Sequence, residues 1–159
     1  MQRLSGMSTE KELDKDKVIH ILNRILEMEL AGSVRYTHYS LMVFGYNRIP
    51  IVGWLREQAT ESLAHAGAAG EMITSLGGHP SLGIGPLLET HKHDIGDILR
   101  ESLDHERAGI QLYRNLLEAV EGQSVWIEEY ARQMIQQEET HAYEVDKMLR
   151  RPGELKSNV

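Results

Sequence analysis

Cysteine is missing from all 159 residues. That excludes disulfides, thiolate catalysis, iron–sulfur centres and any rubredoxin-type module. It is compatible with a cytoplasmic protein, the location expected here. Long apolar runs are missing too: none approaches the roughly 20 residues of a membrane span. Residues 1–6 contain one Arg and no apolar stretch, which does not fit a signal peptide, and Met7 offers an alternative start. Positive charge is short, with 17 Lys and Arg against 24 Asp and Glu and a net charge of −7. This argues against generic binding to nucleic acid or an anionic membrane; acidic surfaces attract cations instead. Glycine and proline cluster in one stretch only, residues 77–86. At 41% hydrophobic and 26% charged residues, what remains is an ordinary single globular domain, long enough to bury a core.

Four segments carry apolar residues spaced alternately four and three apart, the mark of a bundle helix's buried seam. The first is Val18, Leu22, Ile25, Glu29, Gly32, Tyr36, Tyr39, Val43; the second is Trp54, Gln58, Glu61, His65, Ala68, Met72. The third is Leu99, Leu103, Glu106, Ile110, Tyr113, Leu117, Val120; the fourth is Ile127, Ala131, Met134, Glu138, His141, Val145, Met148. Each seam contains a glutamate. A lone buried carboxylate is costly, and four facing one another are prohibitive without cations, so either the segments do not bury these residues or something positive sits between them.

The positions repeat. Glu29 and Glu61 are 32 apart, as are Glu106 and Glu138, and the midpoints are Gly45 and Gly122. Glycine terminates helices by entering the left-handed region without strain. A chain that folds back at each glycine brings the two glutamates of a pair to one height. One offset of 77 relates Glu29 to Glu106, Tyr36 to Tyr113, Gly45 to Gly122 and Glu61 to Glu138. The reading is all-α: two related helical hairpins joined by a long crossover, forming a four-helix bundle. Helix A spans about 14–44, helix B starts near Pro50 and runs to about 76, helix C runs from Asp94 or a neighbour to about 121, and helix D from Ser124 to about 151. Residues 1–13 are read as a flexible segment, 14–151 as the bundle and 152–159 as a polar tail.

Glu61 and His65 are four apart on helix B, Glu138 and His141 three apart on helix D, so each pair shares a helix face. With Glu29 and Glu106 the set is four carboxylates and two imidazoles. Hard oxygen donors with a few nitrogens suit iron or manganese, and six ligands suit two ions with carboxylate bridges. Tyr36 and Tyr113 follow Glu29 and Glu106 by seven residues. They are candidates for hydrogen-bonding to ligands or for a redox role, beside the simpler reading as core tyrosines. His91, His93 and Asp94 form a further cluster, read as a solvated loop, and His105 is placed off the seam.

This constellation resembles the ferritin-like di-iron carboxylate family, and within it the bacterioferritins, from about Val18 to Leu149. The likeness includes the seven-residue step from Glu29 to Tyr36, the E-x-x-H of Glu138-Glu139-Thr140-His141, the stretch Gly78-His79-Pro80-Ser81-Leu82, and the segment 97–106 leading to Glu106. The resemblance implies a ferritin-like four-helix bundle and ferroxidase activity, with iron(II) oxidised by dioxygen or hydrogen peroxide for iron storage or detoxification. It implies Glu29, Glu61, His65, Glu106, Glu138 and His141 as ligands, with Glu61 and Glu138 as bridges. Three departures accompany it. Helix B reads Glu61-Ser62-Leu63-Ala64-His65, one residue longer than the family's E-x-x-H, so either Ser62 takes the glutamate position or His65 is displaced by about 100°. The family's haem-ligating methionine is replaced by Ser62, so haem is not expected. No fifth helix follows helix D, so a homo-oligomeric dimer or small shell is expected rather than a 24-subunit cage. Two rivals use the same residues: a di-iron or di-manganese peroxidase, catalase or hydroxylase, and a non-catalytic helical interaction module with a degenerate site.

Overall fold

A computed structural model describes residues 12–157. Four helices occur in it: α1 (Lys15–Met42), α2 (Arg48–Ser75), α3 (Ile95–Val120) and α4 (Val125–Leu149). Most of the segment read as flexible at the N-terminus lies outside the described residues.

Local chemistry sets the ends. The Asp14 carboxylate accepts from the Lys17 N–H, Asp94 from Gly96, and Ser124 from Ile127, so three helix starts satisfy one of their orphan donors with a side chain. Pro50 sits in the first turn of α2, where no intrahelical N–H is needed. Gly45 and Gly122 have φ of +97° and +73°, which lets each hairpin close in a few residues. α1 stops two residues before the expected Phe44, because Val43 is already extended.

α2 returns antiparallel to α1, and α4 to α3. Tyr39 meets Glu101, Tyr36 meets Glu106 and Glu29 meets Tyr113, so α3 runs antiparallel to α1 and parallel to α2. A parallel pair needs a long connection, and residues 78–93 supply it. The crossover runs along α1 from start to end. Asn23 grips the His79 carbonyl and the Ser81 N–H, the Ser81 hydroxyl bonds Glu27, the Gly85 N–H bonds the Glu27 carbonyl, and Arg35 bonds the Leu88 carbonyl.

The expected seams are buried throughout α1, but drift on the other helices. Ala68 and Met148 are exposed, while Ala69 is buried and Leu149 packs on the core. A four-three pattern advances 3.5 residues per turn; the helix advances 3.6, so the buried stripe slides to later residues. Leu55 and Ile73, and Ile98 and Leu116, are five turns apart and almost fully buried.

The core has two apolar ends. One gathers Val18, Leu22, Ile25, Ile73, Leu116, Val120, Ile127 and Ala131. The other gathers Tyr39, Val43, Leu55 and Ile98, with Leu99, Leu103, Ala142 and Val145 beside them. Between them lies a layer of buried charge.

Candidate metal centre

That layer is built by one turn of each helix. Glu29 from α1, Glu106 from α3 and Glu138 from α4 are each at least 94% buried, as the burial of their seam neighbours forces. His65 from α2 is buried among them, its Nδ1 3.0 Å from Glu138 Oε1 and 3.5 Å from Glu29 Oε1. Two three-residue groups emerge whose donor atoms all lie within 4.8 Å of one another: Glu29, His65 and Glu138, and Glu106, Glu138 and His141. Glu138 belongs to both.

The register of helix B is set by the buried stripe. Ser62 and His65 both lie in it, and Glu61 stands one position to the side with a side chain 37% exposed. Ser62 therefore occupies the place that Glu138 holds on α4. Glu61 still reaches the layer from its rim: Oε1 lies 3.7 Å from His65 Nε2 and Oε2 3.3 Å from His141 Nε2. The carboxylate spans the two imidazoles. All six residues expected at the centre are thus brought together, five in or beside the core and one at its edge.

Both tyrosines bind this layer. Tyr113 donates to Glu29 at 2.7 Å; Tyr36 donates to Glu106 and shares a 2.9 Å hydrogen bond with Ser102. Burial pushes both phenols well up, and Glu106 and Glu29 respectively add to it, so each stays a donor at neutral pH. Burial raises Glu29, and raises Glu106 further with help from neighbouring Glu138. Burial works against charge on His65, but the hydrogen bonds and attraction of Glu138 and Glu29 prevail and lift it to about 10. Burial and crowded carboxylates thus favour protons on this layer. This donor set, acid-rich and short of cations, fits divalent metal ions.

The sequence profile of ferritin-like domains matches residues 19–152. The chain belongs to the ferritin-like domain family. Similar solved structures include a ferritin-like diiron-carboxylate protein from Bacillus anthracis, 23% identical over 88% of this chain and 100% of the other, TM-score 0.82. A dodecameric thioferritin, the bacterioferritin-related protein of Bacteroides fragilis, is 24% identical over 87% of each chain, TM-score 0.81. The bacterioferritin of Desulfovibrio desulfuricans, whose structure describes a diiron site, is 26% identical over 85% of this chain and 79% of its own, TM-score 0.75. Comparison with curated protein sequences gives no match.

Around this layer stand Arg35, which the sequence reading passed over, and His105, which it placed off the seam. Arg35 is buried and lies 3.5 Å from Glu101, with Tyr39 bonding both. His105 and Ser62 each approach the bare Cα of Gly32, where a Cβ would stand 3.0 Å from either side chain. Burial, with Arg35 nearby, depresses His105 to about 4. The readable signals were Gly32 in a seam and Arg35 one step from Tyr36; a buried arginine breaks the usual surface rule, so composition alone does not reveal it.

Proposed function

We propose that this protein is a ferroxidase that takes iron(II) as substrate at a dinuclear site. The supporting observation is the pair of three-donor groups sharing Glu138. Carboxylate oxygens with a minority of imidazole nitrogens suit iron, and manganese is the alternative ion. Glu29 and His65 would serve one ion and Glu106 and His141 the other, with Glu138 between them and Glu61 spanning the histidines from the rim. Each iron(II) gives up one electron. Dioxygen takes two electrons and two protons and leaves as hydrogen peroxide; if hydrogen peroxide is the oxidant, it takes the same and leaves as two waters. Negative carboxylates favour the ferric product by charge alone. Tyr36 and Tyr113 hold Glu106 and Glu29 in place by hydrogen bonds, and each is also a candidate electron donor. Glu61, half-exposed, is where iron would first meet the site from solvent.

The reading extends to iron storage or detoxification in the cytoplasm by a homo-oligomer, a dimer or small shell; no helix among the described residues is long and apolar enough to cross a membrane. Haem is left out, because Ser62 offers no thioether. The test is anaerobic iron(II) titration of the metal-free protein, followed by dioxygen or peroxide with absorbance recorded. At least two irons per chain and rapid oxidation are expected, with further iron accumulating as a soluble ferric core if the protein stores it. One iron or none, with no faster oxidation than in buffer, would sink the proposal. Catalytic loss of peroxide without mineral would move it to the peroxidase or catalase class.

A further inference from the structure

A second group of metal-type donors lies away from the dinuclear layer, on the surface where the crossover ends. His38 projects from α1, nine residues beyond Glu29. Glu89 and His93 come from the last residues of the crossover. His38 Nε2 lies 2.8 Å from Glu89 Oε2, and His93 Nε2 lies 3.4 Å from Glu89 Oε1. The three donor atoms all fall within 4.8 Å of one another. The two imidazole rings meet edge-on at 6.2 Å between centroids. Asp94, adjacent in sequence, is not part of this group; its carboxylate caps α3.

We propose that His38, Glu89 and His93 form a mononuclear site for a divalent transition ion. Three observations carry this. The donor types, two imidazoles and one carboxylate, are those of zinc or iron(II) sites that leave a coordination position open. The spacing is right: donors about 2.1 Å from a tetrahedral ion stand about 3.4 Å apart. Two of the pairs already have that separation or less. Finally, His93 Nε2 is buried from solvent and makes no hydrogen bond, although it points toward Glu89. A buried ring nitrogen without a hydrogen bond is costly, and an ion beside Glu89 would satisfy it.

The backbone helps to assemble the group. His91 has φ of +57°, a left-handed conformation that non-glycine residues seldom adopt. It turns the chain sharply between Glu89 and His93, and its N–H bonds Glu89 Oε1 at 2.5 Å. His91 itself is 85% exposed with Nδ1 3.9 Å from Glu89, free to swing in as a fourth donor. An ion here joins α1 to the crossover, independently of whether the bundle oxidises iron.

The test uses the full chain, stripped of metal by a chelator, with zinc(II) or cobalt(II) as probe and the metal-to-chain ratio measured by equilibrium dialysis and elemental analysis. His38→Gln, Glu89→Gln and His93→Asn are each expected to lower the ratio by one ion per chain, whatever the total. A His65→Ala, Glu138→Ala background is expected to keep that one ion, separating this site from the dinuclear one. Hydrogen exchange of the amides in residues 88–93 is expected to slow when zinc is added to the unsubstituted chain. Circular dichroism checks that the surface variants fold. An unchanged ratio in all three single variants overturns the proposal, as does loss of the last ion in the double background.

Discussion

At the scale of single residues, Glu138 and Glu61 make a useful contrast. Both were expected as bridges, yet one is buried between two donor groups and the other spans two histidines at the rim. Glu138→Ala is expected to slow iron(II) oxidation more than Glu61→Ala, and by more than the roughly 10- to 100-fold typical of removing an outer partner of a metal ligand; stopped-flow absorbance checks both. Acid chemistry gives a second expectation. In metal-free protein His65 holds its proton to about pH 10, against about 6.5 in the unfolded chain. The folded state then binds more protons across that interval, so stability falls as pH rises through it. Glu106 and Glu29, raised by burial, act in the same direction beginning near pH 4.5. His105, depressed to about 4, opposes them only below about pH 6.5. The clean window is thus pH 7 to 10. Melting temperature of the metal-free chain is expected to fall across it, and His65→Gln, which removes the titrating group, to flatten the fall. A melting temperature that rises over that window would refute the assignment. The glutamates themselves were legible in the sequence because a charged residue in an apolar stripe is conspicuous. Arg35 and His38 were not: nothing in a one-dimensional pattern says that a crossover carbonyl or a crossover carboxylate will come to rest beside them.

At the scale of elements, the hairpins depend on the two glycines that centre them. Adding a Cβ at Gly122, with φ of +73°, meets no neighbouring atom, so the cost is conformational alone. Gly122→Ala is expected to lower unfolding free energy by about 1–2 kcal/mol, read from urea denaturation; Ser124→Ala, which removes the α4 cap, by about 1 kcal/mol. Helix order, turn positions and the parallel crossover were all readable from the repeat of 77, because turns and caps are written in local chemistry. The rotation of α2 was not. A repeat counted on Glu61 and Glu138 sets the glutamates equivalent, but the structure sets Ser62 and His65 in the stripe, equivalent to Glu138 and His141. One residue of ambiguity is about 100° of helix, and only packing against the other helices resolves it.

At the scale of the whole molecule, charge sits in the middle and oil at both ends. Divalent ions are expected to bind the folded chain and not the unfolded one, raising melting temperature in a concentration-dependent way; scanning calorimetry with and without manganese(II) tests this without oxidation. The crossover stands apart from that economy of burial. Leu82, Ile84, Leu87 and Leu88 along it are all at least half-exposed, and it is fastened to α1 by hydrogen bonds at His79, Ser81, Gly85, Leu88 and Glu89. It is a strap buckled to the outside, not a beam. A protease that severs it around residues 84–88 would leave two hairpins, each still offering its share of the acidic layer to the other. The two fragments should remain one particle in solution, and it is the four helices, not the continuous chain, that keep the acidic layer whole.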